Sequence, residues 1–519
     1  MFALTRRSPA ASPRARRTDF RPRPGPPGRW VCRTRATERT TVGEIAELRR
    51  SSPLVLLVGV AAATVGILYG YDPVSGALLF LGNDFDVSSA DQEMVATVVV
   101  VGMAAGAAVG GWLANTIGRK TSLVAVAAAY GVFAILSALA VSLPMLLVMR
   151  LLLGVAIGVS VVVVPVFVAE SVPASVRGSL LVAYGLMSVV GIIIGYLVSF
   201  LLSDTHNWRL MLGSAAVPAV LMIALLLKVP DSARWYMLKG RVADARRTML
   251  RVEPRADAEK ELAEIARAQQ EEERAHAGVL REMLQRSHLR ATIFLIVFGF
   301  FTQITGINAI VFYGPLIFKD MGFEGNFNLL VLPALVQVAA VAAMCVSLVL
   351  IDRLGRRPIL LSGIAVMIVA NLALIGAYAE GPLFGAALPY FQFTAVLLFS
   401  VGYHFGFGSV AWVYGGESLP AKLRSIGSSV MLTTNLTANA IVVGVFLTML
   451  TTLGGATTFA VFGVLALLSF GFIYRYAPET KGIQLEYIRH FWENGGRWPA
   501  TMPTATDAES SAHRVAETR

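Results

Sequence analysis

Long apolar runs, separated by short polar turns, cover most of the chain. Six runs lie in each half, at about 54–82, 92–114, 121–143, 145–168, 178–202, 208–229, 291–318, 328–351, 358–380, 386–416, 425–452 and 456–475. Each run is long enough to cross the hydrocarbon core of a bilayer, about 30 Å thick, as an α-helix. The runs are too long for barrel strands and do not alternate as such strands do. The pattern predicts an all-α integral membrane protein with twelve transmembrane helices in two six-helix bundles.

Charged turn motifs occur twice along the chain, in the same order. The pairs are Gly118-Arg119-Lys120 with Gly355-Arg356-Arg357, Glu170/Pro173/Arg177 with Glu417/Pro420/Arg424, and Pro230-Asp231-Ser232 with Pro478-Glu479-Thr480. Such repeats indicate a duplicated half. In a membrane chain, two homologous halves indicate a transporter whose binding site lies between them.

Composition supports the membrane assignment. Hydrophobic residues make up 55% of 519 residues and charged residues 15%, against about 25% charged in ordinary soluble domains. The net charge of +11 comes mainly from residues 1–50, which hold 13 arginines and 4 acidic residues. The remainder is nearly balanced and gives no support to a nucleic-acid partner. Cys32 lies in the N-terminal tail and Cys345 in an apolar run, so a disulfide framework is not expected.

The chain divides into five segments. They are an Arg- and Pro-rich N-terminal tail (1–50), a first six-helix bundle (51–229), a cytoplasmic helical loop (230–290), a second six-helix bundle (291–477) and a cytoplasmic C-terminal tail (478–519). The composition of the N-terminal tail predicts disorder. It also resembles an organellar transit peptide, which would place the protein in a plastid envelope rather than the plasma or inner membrane. The loop holds 13 basic and 11 acidic residues, with apolar positions such as Leu262 and Ile265. We expect short amphipathic helices there, with a solvated linker as the alternative.

The distribution of charge predicts the orientation. The basic turns, at Arg119/Lys120, Arg177, Arg356/Arg357 and Lys422/Arg424, all fall on one side with both termini, and the opposite turns hold Asp84, Asp86, Asp91, Glu93, Asp204 and Glu324. Basic loops face the cytoplasm, so both termini are expected there.

The motifs, taken in order, resemble those of the sugar porter family of the major facilitator superfamily. The motifs are Gly70-Tyr71-Asp72, Gly110 to Ala114, Gly118-Arg119-Lys120, Arg150 to Gly154, Pro165 to Gly178, Pro230 to Trp235, Gln303 to Ala309, Asp352 to Arg357, Glu417 to Arg424 and Pro478 to Gly482. The resemblance covers about 51–490. It implies alternating access and a monosaccharide or polyol cargo, moved with a proton or downhill, without a cofactor or metal.

Three ionisable residues, Asp72, Arg150 and His404, are the clear cases inside predicted spans, away from the ends of the runs. Charge is costly to bury in hydrocarbon, so such residues are functional candidates. Helix 1 runs outward and helix 4 inward, which places Asp72 and Arg150 in the same half of the membrane, where we expect them to pair. Proton symporters of the family carry Asp at the position of Asp72, and this implies a proton-coupling role. Alternatively, Asp72 begins an extracellular turn before Pro73.

Polar side chains in the second half are candidates for holding the cargo. They are Gln303, Asn308, Gln337, His404, Trp412, Asn435 and Asn439. Asn435 and Asn439 are four residues apart and share a helix face. The family holds its sugar chiefly through second-half positions such as these, although His404 is equally interpretable as a structural or second proton-binding residue. Departures from the family pattern, including Gly185 for a usual Gln and Leu436 for a frequent Trp, mean that glucose is not assumed.

Charged residues at the cytoplasmic helix ends form a predicted gate. They are Arg119, Glu170, Arg177, Arg234, Asp352, Arg356, Glu417, Arg424 and Glu479. We interpret them as ion pairs across the two halves that close the cytoplasmic side; the alternative is that the basic residues only set topology. Asn115 stands where the family usually has Asp, which removes one charge from the first-half set.

These observations favour a proton-coupled importer of a monosaccharide or polyol, with the sugar, the proton and the lipid bilayer as its partners. A passive facilitator is the nearest alternative. A transporter-like sugar sensor would need a long signalling tail. A drug exporter remains open because a fold does not fix a function. An enzyme is not expected, since the spans hold no nucleophile–base pair or metal cluster.

Overall fold

The computed structural model describes residues 52–72, 74–252, 258–267, 283, 286–419, 421–481, 488, 491, 492, 494, 496 and 498. The predicted N-terminal tail, with its transit-peptide alternative, lies outside these residues. The helices of the first half are α1 (Pro53–Gly70, continued by Val74–Ala77), α2 (Ser89–Ile117), α3 (Arg119–Ala138), α4 (Leu143–Ser171), α5 (Ala174–Leu202) and α6 (Trp208–Gly213 with Ala216–Leu226).

The second half repeats this arrangement. Its helices are α7 (Arg286–Ile304 with Ile307–Asp320), α8 (Asn326–Leu354), α9 (Arg356–Ala379), α10 (Leu388–Tyr403, a π-helical segment His404–Gly408 and Ser409–Glu417) and α11–α12 (Ala421–Tyr476). The last helix holds two spans, because Gly454 has non-helical φ 78° and ψ 163°. The described residues thus contain eleven apolar helical stretches that could cross a membrane, one of them double. The prediction of an all-α fold with twelve spans is confirmed.

Breaks in α1 and α7 fall at equivalent places in the two halves. The first part of helix α1 ends at Gly70, and Tyr71 takes the non-helical values φ −78° and ψ 84°. The helix resumes at Val74. Helix α7 breaks at Gly306, whose φ of 102° is a left-handed conformation that glycine adopts without steric cost. Non-helical backbone at membrane depth is tolerated where it lines a cavity or is buried in protein. The breaks therefore mark the interface between the halves as the place for a site.

Glycines bring helices of the first half into close contact. A Cβ atom at Gly106 of α2 would lie 2.0 Å from the Val155 carbonyl oxygen of α4, and one at Gly70 of α1 would lie 1.7 Å from the Ser188 carbonyl oxygen of α5. Small residues at such crossings are what allow backbones to approach inside a membrane. Any side chain in place of Gly70 would therefore push α1 away from α5.

The two ends of the molecule differ in charge and in packing. We call the end with Arg119, Arg177 and Arg356 the basic end, and the end with Asp84 and Glu324 the acidic end. The hydrophobic core of the second half continues into the first half at the acidic end, with Val74, Val95 and Trp208 among its first-half members. The first-half core consists of residues between 54 and 229 together with Leu436 of α11.

Helices α5 and α8 carry contacts between the two halves at the acidic end and near the middle. At the acidic end the rings of Phe200 and Phe327 are 5.9 Å apart. Near the middle, a Cβ at Gly185 would lie 3.7 Å from the Met344 side chain, and at the basic end a Cβ at Gly178 would meet no described atom within 4 Å. Along this pair of helices the two halves are therefore in contact at the acidic end and near the middle, whereas Gly178 at the basic end is exposed.

Short helices follow α6 at the basic end. Ala233–Leu238 and Val242–Met249 pack together with part of segment 258–267, and Leu262 is buried among Ala245 and Met249. Beyond α12, the Pro478 carbonyl accepts a 2.7 Å hydrogen bond from the Tyr414 hydroxyl, and Trp492 packs on the second-half core. The described part of the segment that the sequence assigns to the C-terminal tail is thus packed against the second half.

Candidate functional site

Asp72 and Arg150 form a two-pronged ion pair inside the first half. Arg150 Nη1 donates to Asp72 Oδ1 at 2.8 Å, and Nη2 donates to Oδ2 at 2.7 Å. Arg150 is 1% exposed. Parallel charge-assisted bonds of this kind are the strongest that side chains make. The pairing predicted from the sequence is present, and the alternative of a solvated turn at Asp72 does not fit this geometry.

The break in α1 is what presents the Asp72 carboxylate to Arg150. The Tyr71 carbonyl has left the helical pattern and accepts a 2.6 Å hydrogen bond from the Tyr130 hydroxyl of α3. The Asp72 Oδ1 atom also accepts from the backbone N–H of Val74 at 3.2 Å, which caps the short helical turn that follows. Local backbone and α3 together fix the position of the acid.

Three amide side chains of the second half form a hydrogen-bonded chain. Asn308 Nδ2 donates to Gln303 Oε1 at 2.9 Å, and Gln303 Nε2 lies 3.4 Å from Asn435 Oδ1. The chain links the two parts of α7 across the Gly306 break and reaches α11. The sequence predicted these residues as a group, and the structure brings them together.

A cavity of about 80 Å³ lies between the halves beside both groups. Asp72 and Ser188 line it from the first half, and Asn308 and Asn439 line it from the second. Among the described residues Asn439 Oδ1 is buried without a hydrogen-bond partner, and a buried amide oxygen is normally satisfied. Apolar side chains such as Ile192 complete the wall. The space holds several water-sized groups, and its polar atoms suit a small hydroxylated molecule.

Gln337 and His404 are not among the described residues that line this cavity. Gln337 is 1% exposed, and its Oε1 atom has no hydrogen-bond partner within the part of the chain that the structure describes. His404 Nδ1 lies 2.9 Å from the Ser400 carbonyl of its own helix, and its ring packs edge-on against Tyr403. This contact fits the structural interpretation of His404. The side chain of Trp412 lies outside the described part of the chain.

The predicted gate residues form compact clusters at the basic end. Arg119 Nε and Nη2 donate to the two oxygens of Glu170 at 2.9 and 3.1 Å. Glu170 also accepts from the Ser232 hydroxyl at 2.6 Å and lies 3.9 Å from Arg234. In the second half, Arg356 donates to Asp352 at 3.0 Å. These pairs each join residues of one half. The predicted ion pairs across the halves, which would form when the basic end is closed, stay a prediction.

Two acids cap equivalent helices at the basic end. Asp231 accepts from the backbone N–H of Arg119 at 2.9 Å, at the start of α3. Glu479 accepts from the N–H groups of Arg356 and Arg357 at 3.0 Å each, at the start of α9. A carboxylate at a helix N-terminus satisfies free donors and complements the helix dipole. The motif repeat thus corresponds to two equivalent capped turns.

For the gate candidates Arg177, Glu417 and Arg424, no ion pair is described among the residues that the structure covers. Arg177 lies at the basic end, and its Nε atom is buried with no hydrogen-bond partner among the described residues. The side chains of Glu417 and Arg424 lie outside the part of the chain that the structure describes.

Sequence reasoning missed one buried acid. Glu93 was assigned to an acidic turn, but it lies within α2 and is 5% exposed. Its position four residues into a helix that begins with a Ser88–Asp91 capping box was a readable signal. Asp231, seen only as part of a repeat, was likewise not recognised as a helix cap.

The comparisons with known proteins agree with this geometry. The family model described as "Sugar (and other) transporter" matches residues 58–492. The chain is 35% identical to the galactose-proton symporter of Escherichia coli K12 over 85% of its length and 95% of that protein. It is 30% identical to the arabinose-proton symporter of Bacillus subtilis, over 85% of the chain and 96% of that protein.

A solved structure shares the fold. The inward-open conformation of the xylose transporter XylE from E. coli superposes with a TM-score of 0.73 at 22% identity, covering 85% of this chain and 100% of that one.

Proposed function

Because the chain belongs to the sugar transporter family, as the match over residues 58–492 shows, we propose that it imports a monosaccharide or polyol together with a proton, by alternating access. The observation that carries this proposal is the shared cavity. It brings a carboxylate able to take up a proton, Asp72, within the same wall as the amides Asn308 and Asn439. Relatives that couple a sugar to a proton support the same conclusion.

The coupling step rests on the Asp72–Arg150 pair. When Asp72 is ionised, Arg150 holds it through both oxygens. A proton on Asp72 removes the negative charge and one acceptor, so the arginine is released and α1 is freed from α4. Since the Asp72 carboxylate also lines the cavity, the cargo and the proton both act on α1. A passive facilitator would need the amides but not this titratable pair.

Sugar recognition is assigned to the amide chain and to Asn439. Each hydroxyl that leaves water must find a new hydrogen-bond partner, because an unpaired buried polar group costs about 1–3 kcal/mol. Asn308 and Asn439 offer such partners at the cavity wall, while Gln303 and Asn435 fix the orientation of Asn308. Gln337 and Trp412 remain candidates on the strength of the family resemblance.

The protein is a multi-pass membrane protein, and we place its basic end and both termini in the cytoplasm of a plasma or inner membrane. The basic turns support this orientation. With that orientation the conformation described here is closed to the outside, because the halves pack at the acidic end. Two clusters, around Glu170 and around Glu479, each hold one half rigid as the halves move, and the ion pairs across the halves that would close the basic end stay a prediction.

Counterflow in vesicles tests the proposed function. Vesicles containing the purified protein and preloaded with unlabelled sugar are offered labelled hexoses, pentoses and inositols, with and without a pH gradient. We expect exchange of at least one of these and its accumulation when only the gradient is applied. Exchange that the gradient never drives uphill would establish the passive facilitator, and no exchange of any sugar would reopen the drug exporter.

A further inference from the structure

Glu93 is a buried carboxylate that joins the two halves at the acidic end. It lies in the second turn of α2, and both of its oxygens accept hydrogen bonds from Thr448 of α11. The Thr448 backbone N–H donates to Oε1 at 2.7 Å, and the Thr448 hydroxyl donates to Oε2 at 2.5 Å. The contact therefore joins a first-half helix directly to a second-half helix.

Helices α2, α7 and α11 make further close contacts around the Glu93–Thr448 hydrogen bonds. One turn further along, a Cβ at Gly444 of α11 would lie 3.2 Å from the Thr97 side chain of α2. Tyr313 of α7 donates a 2.6 Å hydrogen bond to the Val443 carbonyl of α11, which holds α11 against the second part of α7. A carboxylate at such an interface depends on donors that are fixed in place, since an unsatisfied buried charge is strongly unfavourable.

We propose that Glu93 and Thr448 form a clasp that holds the acidic end closed, and that this clasp opens once in each transport cycle. The inference rests on the alternating access proposed above. When the acidic end opens, α2 and α11 separate, and water replaces the Thr448 donors around Glu93. Glu93 does not line the cavity, so it is a positioning residue that sets the balance between the two conformations.

Labelling of a cavity cysteine measures this balance without sugar or proton. The reporter is Ser188→Cys, in a chain that also carries Cys32→Ser and Cys345→Ser. A membrane-impermeant maleimide is applied from each side of oriented vesicles. Glu93→Ala should raise the labelling rate from the acidic end at least tenfold and lower it from the basic end. Thr448→Val, which removes one of two donors, should give a smaller rise, and Thr448→Ser should retain the parent rate.

The matched control is Asp91→Asn. Asp91 lies two residues before Glu93, but its carboxylate accepts from Ser88 at the start of its own helix. This variant should leave labelling from both sides unchanged. If Glu93→Ala does not fold, Glu93→Gln and the two Thr448 variants decide the question.

Labelling of the Glu93 variants and Thr448→Val at the same rate as Asp91→Asn, from both sides, would overturn the clasp. That result leaves the transport proposal untouched, because labelling involves neither cargo nor gradient. Conversely, a parent protein that never accumulates sugar would contradict the symport proposal while the labelling result stands.

Discussion

Replacement of Asp72 by asparagine is the most direct test of the coupling mechanism. Arg150 donates two charge-assisted bonds, at 2.8 and 2.7 Å, to the two oxygens of Asp72. Asparagine offers a single oxygen and turns an amide N–H group toward the other arginine donor, so one bond is lost. Such a bond contributes about 1.5–3 kcal/mol. At 1.4 kcal/mol for each factor of ten, the hold on Arg150 weakens about 10- to 150-fold.

The same substitution leaves a buried positive charge without its counterion. Breaking a buried pair in this way costs about 3–5 kcal/mol, so a lower unfolding temperature is expected alongside the change in transport. Arg150 is 1% exposed, which limits the water that can compensate. The variant mimics a permanently protonated acid, and for that reason it should exchange sugar but never concentrate it.

The assay compares two modes in the same vesicles. Sugar exchange at equal concentrations reports the binding and movement of cargo, and accumulation under a pH gradient alone reports coupling. Asp84→Asn is the matched control, because Asp84 pairs with Arg209 in the same half but away from the cavity. Asp72→Asn vesicles that still concentrate sugar would refute the proposed proton site, and His404 would then be tested next.

Three further predictions concern the cargo site and the basic end. Asn308→Ala and Asn439→Ala should each raise the KM for exchange about 5- to 100-fold at normal expression, since each leaves a hydroxyl of the cargo unpaired; an unchanged KM in both would remove the site from this cavity. Asp231→Ala and Glu479→Ala should each lower the free energy of unfolding by about 1–2 kcal/mol, measured by chemical denaturation, because each uncaps a helix; unaltered stability would mean that water replaces the cap. Gly118→Ala should lower the free energy of unfolding by more than about 1 kcal/mol. Gly118 has φ 104°, and an added Cβ would lie 2.2 Å from Asp231 Oδ2. An unchanged free energy of unfolding would show that the α2–α3 turn adjusts.

Much of the fold was predictable because the membrane imposes a simple rule. A span must be predominantly apolar over about 20 residues, so the runs could be read directly, including the separation of α11 from α12 at Gly454. The Asp72–Arg150 pair was also predictable, since two opposite charges at the same depth must neutralise each other. The break in α1 was not, because it depends on Tyr130 of α3 holding the Tyr71 carbonyl.

At the basic end, the sequence did not predict which acidic and basic residues pair. The repeat revealed which acids and bases recur but not which of them meet. Arg119 and Glu170 are brought together by the packing of α2, α3 and α4 within one half, and no spacing along the chain encodes that choice. Glu93 was misassigned for the same reason: its burial is created by α11, which is more than 350 residues away in sequence.

The capped turns at the basic end also constrain the order in which the protein can be completed during synthesis. Asp231 follows Arg119 by 112 residues and Glu479 follows Arg356 by 123 residues. When α3 or α9 enters the bilayer, the acid that satisfies its first turn has not yet left the ribosome. The cap of each half can therefore form only after the sixth helix of that half has been made. A chain that ended at Tyr476 would contain all twelve spans and still lack the residue that completes its second half.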